Sequence, residues 1–242
     1  NQLLAGQRCM PRARDGDCFL AYFQAYTNTY GDVVELEAMY REALAVPGVI
    51  GLSVGTRPDC VPEPVLELLA RLRDEGHEVW LELGLQSAFD DTLEAVNRGH
   101  VFTEYVDAAQ RARRHGLPLC THLILGLPGE DEKHWHASLI RVLAVGTDGL
   151  KLHPLHVVRN TRLARDWRAG LYQPISRERY VDAVAQMVLD CPPGIVFHRL
   201  TGTAATPMLL APEWCAQKWP VLNDITARIT QLRTPASCPA PL

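Results

Sequence analysis

From Cys18 onward, short apolar runs rich in β-branched residues alternate with longer stretches whose apolar positions recur every three to four residues. The short runs lie at 18–24, 49–54, 78–84, 118–125, 148–153 and 194–199 and have the length and continuity of strands buried on both faces. Between them, residues 33–45, 62–75, 103–115, 131–144 and 176–190 carry the helical period, with shorter helical stretches at 90–97 and 160–169. Strand and helix in strict alternation predict six parallel strands joined by crossover helices, an α/β fold.

Several boundaries have a chemical cause. Pro62 and Pro64 fall where the second long helix begins, a position at which a missing amide hydrogen costs nothing. Gly76, Gly116 and Gly170 follow helical runs and suit left-handed C-caps, while Asp90 and Ser176 are placed as N-caps. The tail from Thr234 carries Pro235, Pro239 and Pro241 without periodic pattern and is expected to be loose. No repeat of solenoid period occurs.

At 242 residues, with 47% apolar and 21% charged, the chain can bury one sizeable core. A formal charge of −4 supplies no general basic field for nucleic acid, although a local cationic stripe can sit inside an acidic total. The seven cysteines are spread along the chain without a CxxC pair, which predicts reduced thiols in a cytoplasmic protein. No run approaches the roughly 18 apolar residues of a membrane span, and the first residues lack the apolar core of a signal peptide.

Polar clusters follow the apolar runs, so reactive groups collect at strand exits, where parallel α/β barrels keep their chemistry. The first exit offers Gln24, Tyr26, Thr27 and Asn28; the second Thr56, Arg57 and Asp59; the third Glu82, Gln86 and Ser87. The fourth offers His122 and the turn Gly126-Leu127-Pro128-Gly129-Glu130, and the fifth His153, Pro154 and His156. No GxSxG elbow, GxxxxGK[ST] loop or GxGxxG after a strand accompanies them. The Gly126–Gly129 turn presents bare backbone against which a flat ring can lie.

Plainer readings stand beside these. His122 and His153 adjoin apolar runs, where a histidine is often a hydrogen-bonded core residue. Glu82 lies within a strand and needs a partner, and Arg57 and His122 are structural candidates. Arg57 and Asp59 read equally as a loop ion pair, and His100 as a helix C-terminal cation. The five tryptophans, Trp80, Trp135, Trp167, Trp214 and Trp219, read as packing residues. Arg111, Arg113, Arg114 and His115 form a basic helix end that either touches phosphate or is a solvated face.

Taken together, Ala21-Tyr22-Phe23-Gln24-Ala25-Tyr26-Thr27, Val54-Gly55-Thr56-Arg57-Pro58-Asp59-Cys60, Trp80-Leu81-Glu82-Leu83-Gly84-Leu85-Gln86, Asn97-Arg98-Gly99-His100, the Gly126–Glu130 turn, Lys151-Leu152-His153-Pro154-Leu155-His156 and Leu209-Leu210-Ala211-Pro212 resemble the radical S-adenosylmethionine (SAM) enzymes, and within them the bacterial YhcC/YtqA type. Several also resemble the radical SAM domain of the elongator catalytic subunit, which acts on the wobble uridine of tRNA. The resemblance implies a partial (β/α)6 TIM-like barrel over residues 1–193, with its first strand missing from this chain. A C-terminal extension would cover 194–233, with His198, Arg199 and Trp214 in a substrate-side wall, and the loose tail 234–242.

The implied cofactors are SAM and a 4Fe-4S cluster. By position, Tyr26 and Thr27, with Gln24 beside them, take the place of the motif that holds the methionine amino group. Gln86 and Ser87 take the ribose side, joined by His122. Ile124, Gly126 and the backbone at Leu155 take the adenine side, and Arg57, Glu82 and His153 complete the set. A flavodoxin or ferredoxin reductant and tRNA are the implied partners.

The family's CxxxCxxC, which supplies three thiolates to the cluster, does not occur in this chain. With Asn1 in place of Met and an apparent first helix from Gln2 to about Arg14, the expectation is a fragment whose cluster loop lies upstream and which is inactive alone. The alternatives are a degenerate barrel that has lost the cluster and serves as a binding or scaffold protein, and a metal-dependent hydrolase built on His122, His153, His156 and Asp59.

Overall fold

The computed structural model describes residues 17–24, 27–204 and 206–233, together with Leu3, Ala5 and Gly6. Most of the expected helix from Gln2 to Arg14 lies outside the described residues, as do Ala25, Tyr26 and the tail from Thr234. The elements are β1 (Phe19–Phe23), α1 (Val33–Leu44), β2 (Val49–Thr56), α2 (Glu63–Asp74), β3 (Glu78–Gln86), α3 (Asp90–Ala95), α4 (Phe102–Arg114), β4 (Leu119–Leu125), α5 (Glu132–Val145), β5 (Gly149–Pro154), β6 (Val157–Val158), α6 (Arg162–Arg168), α7 (Arg177–Asp190), β7 (Val196–Arg199), β8 (Leu209–Ala211) and α8 (Lys218–Arg233). The main sheet runs β1-β2-β3-β4-β5-β7, and β6 pairs with β8 in a small second sheet. The six strands and the helices that join them stand where the apolar periodicity puts them. The β6–β8 pair, of two and three residues, is too short to register in any window.

Helix boundaries follow local chemistry. Asp32 accepts from the amides of Val34 and Glu35 at 2.9 and 3.3 Å to start α1, and Ser176 accepts from Arg179 N at 3.2 Å to start α7. Gly76, Gly116 and Gly170 take φ of +97°, +67° and +72° where α2, α4 and α6 end. Asp90 is not an N-cap: the extended backbone of Phe89 fills that position, and Asp90 is the first helical residue. There its charge complements the helix dipole without bonding the free amides.

The chain divides into two compact units, the first drawn from Asn1–Leu85, His100–Thr121 and Val145–Asp148, the second from Gln86–Gly99, His122–Ala144 and Gly149–Leu242. In the first, β1 pairs parallel with β2 (Ala21 opposite Leu52) and β2 parallel with β3 (Leu52 opposite Val79). Val65, Leu66, Leu68, Leu69 and Leu72 of α2 are fully buried, as are Leu52, Val54, Leu81 and Leu83 of the strands. Each such side chain is worth about 1.5–3 kcal/mol of transfer free energy. Polar atoms in this interior are paired in series, Tyr105 Oη to Thr121 Oγ1 at 2.8 Å, Thr121 to Thr147 at 2.9 Å, and Thr147 Oγ1 donating to Leu119 O at 3.1 Å.

In the second unit β5 pairs parallel with β7, Lys151 opposite Arg199, and β6 antiparallel with β8, Val157 opposite Ala211. Helices α7 and α8 are cross-linked by Arg177–Asp224 at 2.6 Å and Arg228–Asp182 at 2.7 Å. Val157, Ala164 and Ala211 centre a small cluster onto which Leu163, Trp167, Tyr172 and Leu210 pack, holding α6 against β6 and β8. Among the described residues no helix is long and apolar enough to cross a membrane.

Gly51 of β2 has the backbone of Glu78 directly against its α-carbon, inside the distance any Cβ tolerates. Gly51→Ala is therefore expected to lose about 3 kcal/mol or more, because the β2–β3 ladder must part to admit a methyl group. Urea denaturation checks this, and a midpoint unchanged from wild type would show that the ladder yields there.

Candidate functional site at the strand exits

In the first unit the exit of β1 is clamped to β2. The Asn28 amide donates to Phe23 O and Gly55 O, each at 2.9 Å, and Tyr40 Oη donates to Asn28 O at 2.6 Å. Thr29, 1% exposed, lies 2.6 Å from Thr56 Oγ1 and donates to Cys60 O. Asn28 and Thr56 are thus structural, and they leave Thr27 half-buried and Gln24 exposed at the same exit.

Arg57 pairs with Asp59 at 2.6 Å, the loop ion pair its sequence allows. Burial pushes the Asp59 carboxyl up, but the Arg57 hydrogen bond and charge hold it below its ordinary value. Glu82, 1% exposed, accepts from Ser53 Oγ on the neighbouring strand. Ser53 was not legible as its partner in sequence, although both lie within runs read as strands.

His100 is not a helix C-terminal cation. It is 5% exposed and stands ahead of α4 with Nε2 3.3 Å from Gly84 O, because Asn97 and Gly99, at φ +52° and +74°, turn the chain back onto β3. At the basic end of α4 three of the four cations are bonded within the protein, and Arg113 and Arg114 remain exposed. Arg111 bonds Asp107 at 2.7 Å and Val61 O at 2.5 Å, Arg113 donates to Gly146 O, and His115 meets Glu63 at 2.5 Å.

The second unit holds the larger part of the predicted set. Gln86 ends β3 with φ +78°, a left-handed conformation that costs a non-glycine residue on the order of 1 kcal/mol. The next three residues are each tied to α5 or to the turn before it. Ser87 donates to Glu130 and accepts from Phe89 N at 3.1 Å; Ala88 N donates to Ser138 Oγ at 3.1 Å, and Arg141 donates to Ala88 O; Phe89 stacks edgewise on His134 at 4.9 Å. Burial pushes the Glu130 carboxyl up, and its bonds to Ser87 and Thr92 offset part of that. Glu130 closes the Gly126 turn in sequence, and nothing in the sequence marks its half-buried bond to Ser87.

Gly126 has φ +90°, and a Cβ there would lie 3.2 Å from Ile175, so a side chain at this point would be strained by the backbone and crowd Ile175. Tyr172 Oη donates to Gly126 O at 2.8 Å, and Leu155 N donates to Leu125 O at 2.9 Å, bringing the Leu155 backbone beside the exit of β4 with half-buried Ile124. A pocket of about 220 Å³ opens beside the turn between Glu130, Trp135, Tyr172 and Arg179.

His122 of β4 and His153 of β5 face one another with ring centroids 5.9 Å apart. Burial, then the charges of His122, Arg199, Lys151 and His156, push the His153 imidazole down to about 3. His156 is likewise pushed down by burial, partly offset by a bond to the Gly202 backbone. Gly202 passes so close that a Cβ would lie 2.7 Å from His153 Nδ1. Of the tryptophans, Trp135 is buried and Trp214 stacks on Tyr180 at 5.2 Å, but Trp219 is 67% exposed and is not a packing residue.

A parallel α/β sheet with polar residues gathered past its strand ends is the arrangement in which α/β folds place their binding sites. The family description "Radical SAM superfamily" matches residues 13–141, and "Radical_SAM C-terminal domain" matches 147–231, so the chain belongs to the radical SAM superfamily. It is similar to Protein YhcC of Escherichia coli, 49% identical over 83% of this chain and 65% of that protein. It is also similar to Uncharacterized protein YtqA of Bacillus subtilis, 35% identical over 89% of this chain and 66% of the other. The chain thus spans about two thirds of the length of these relatives. Among solved structures, Elp3 of Methanocaldococcus infernus with an N-terminal deletion superposes with a TM-score of 0.69 and 19% identity, covering 80% of this chain and 50% of that one; the likeness concerns the fold.

The depressed His153 carries a signed prediction. A histidine whose folded pKa lies below its unfolded value contributes stability above about 6.5, lost as pH falls from there toward about 3. The slope approaches at most about 1.4 kcal/mol per pH unit. His153→Phe should therefore flatten the acid limb of stability between pH 6 and 4 relative to wild type. Parallel limbs in urea titrations at several pH values would contradict the assignment.

Proposed function

We propose that this chain contributes the SAM-binding residues of a radical SAM enzyme. The observation that carries the reading is Gln86, held left-handed at the end of β3 while the three following residues are anchored by α5 and its lead-in turn. A strained polar residue in an over-determined setting is characteristic of a ligand-positioning site.

The residues fit the cofactor chemically. Gln86 and Ser87, with His122, offer hydrogen bonds to a ribose. The bare turn at Gly126, Ile124 and the backbone at Leu155 offer a flat surface to adenine. By the resemblance, Thr27 with Gln24 and Tyr26 would serve the methionine amino group, while Arg57, paired with Asp59, and Glu82, bonded to Ser53, build their strand exits. His153, neutral at physiological pH, serves as an uncharged hydrogen-bonding group beside His122.

A 4Fe-4S cluster with SAM bound, supplied with one electron by a flavodoxin- or ferredoxin-class donor, would provide reductive cleavage of the sulfonium and hydrogen-atom abstraction from the substrate. The resemblance to the elongator catalytic subunit supports the side chain of the tRNA wobble uridine as that substrate. The cluster's three thiolates are not provided by a CxxxCxxC in this chain, so the reading applies to a protein that supplies them as well. The same observation favours the second reading, a cluster-free barrel acting as a binding or scaffold protein. Iron and sulfide analysis of the anaerobically reconstituted full-length protein separates the two, since the enzyme reading requires about four of each per chain.

Two substitutions at Gln86 test the site. Gln86→Gly relieves the positive φ and is expected to raise stability by about 1 kcal/mol. It should weaken SAM binding by roughly tenfold, the worth of one or two hydrogen bonds. Gln86→Ala should weaken binding similarly without the gain in stability. Calorimetry on the reconstituted protein reads both, and SAM affinity equal to wild type in both variants would remove Gln86 from the site.

A further inference from the structure

Within residues 159–168, Arg159, Arg162, Arg165 and Arg168 face one acid, Asp166, for a local net charge of +3 (four minus one) in a chain whose formal total is −4. α6 turns Leu163, Ala164 and Trp167 onto the cluster around Val157 and Ala211, which leaves its other side outward. At about 100° per residue, Arg162, Arg165 and Arg168 fall within an arc of about 120° on that side. All four arginines are exposed, and the Arg162 side chain is 74% so.

Helix stability does not account for this arrangement. Cations near the last turn, Arg165 and Arg168, suit the helix dipole, but Arg162 is the first residue of α6 and Arg159 stands just before it, where positive charge is disfavoured. Internal pairing does not account for it either. Arg162 meets Asp166 at 3.7 Å and Arg159 Nε donates to Pro207 O at 3.2 Å, while Arg165 and Arg168 form no ion pair with a described residue. The contrast with the bonded arginines of α4 is direct.

We infer that the outward face of α6, extended by Arg159, is a docking surface for the phosphate backbone of an RNA. This rests on the tRNA reading of the substrate proposed above. Every cation on the face is an arginine, whose planar fork matches phosphate oxygens in pairs. Its centre is formed by the arginines, and the exposed apolar residues near it, Ala169 at the helix end, Leu171 beyond it and Met208 beside Arg159, stand at its margins, whereas the centre of a protein–protein interface is apolar and aromatic. A surface both strongly polar and strongly positive is the nucleic-acid type. The contacts are to phosphate, so the face positions a substrate and does not read its bases.

The test uses the full-length protein and unfractionated tRNA, with affinity measured by fluorescence anisotropy across a salt series. Arg162→Gln/Arg165→Gln/Arg168→Gln is expected to weaken binding at least tenfold near 0.1 M salt. It should also lower the slope of log affinity against log salt by about two, since each lost phosphate contact removes roughly 0.7–0.9. The corresponding Arg→Lys triple should keep most of the slope. Affinity and slope unchanged in the glutamine variant overturn the inference. So does loss of flavodoxin binding with tRNA binding intact, which would assign the face to an acidic protein. SAM affinity measured on the same preparations keeps the two readings apart: intact SAM binding with an unchanged tRNA slope sinks the docking face alone. An arginine-dependent slope without SAM binding upholds the face and sinks the cofactor reading.

Discussion

A half-buried carboxyl group holds the exit of β3 in place. Glu130 accepts from Ser87 inside the second unit, and burial, which pushes this carboxyl up, outweighs the bonds from Ser87 and Thr92. A group shifted in that direction costs stability as pH rises above the ordinary carboxylate range, so at neutral pH the fold bears it as a net expense. What the expense secures is position. Ser87, Ala88 and Phe89 are each fixed to α5 or its lead-in turn, and Gln86 just before them keeps a backbone conformation it would not choose. A polar side chain at a strand exit is useful for binding when its direction is settled before the ligand arrives.

The opposite side of the same turn follows related rules. Gly126 holds a left-handed backbone that a side chain would strain and crowd against Ile175, Tyr172 ties down its carbonyl, and Leu155 bonds the last residue of β4. Bare backbone and fixed amides suit a flat, weakly polar ring, whereas the histidines of β4 and β5 suit hydroxyl groups. In the first unit, by contrast, most of the polar groups at strand exits are already spent on one another: Asn28, Thr29 and Thr56 join strand ends, and Arg57 has Asp59.

Much of the fold was legible in sequence because each strand is a near-continuous apolar run and each long helix keeps its period through three turns or more. Legibility failed where geometry comes from partners distant in sequence. Asp90 has the right type for an N-cap but sits one residue too late. His100 reads as a terminal cation until two left-handed residues, Asn97 and Gly99, fold it onto Gly84. The β6–β8 pair is shorter than any periodic window. Strand-exit residues were recognisable one by one, whereas the partners that fix them, Ser53 for Glu82 and Glu130 for Ser87, are 29 and 43 positions away. The arginines of α6 lay in a stretch read simply as a short helix, and which side of it faces outward depends on Val157 and Ala211.

Backbone hydrogen exchange of the reconstituted full-length protein, with and without SAM, tests the central claim most directly. The account predicts slowed exchange on adding SAM at Gln86–Phe89, at the Gly126–Glu130 turn and at Leu155, all within one unit. Protection confined to other segments, with those three unchanged, would contradict it.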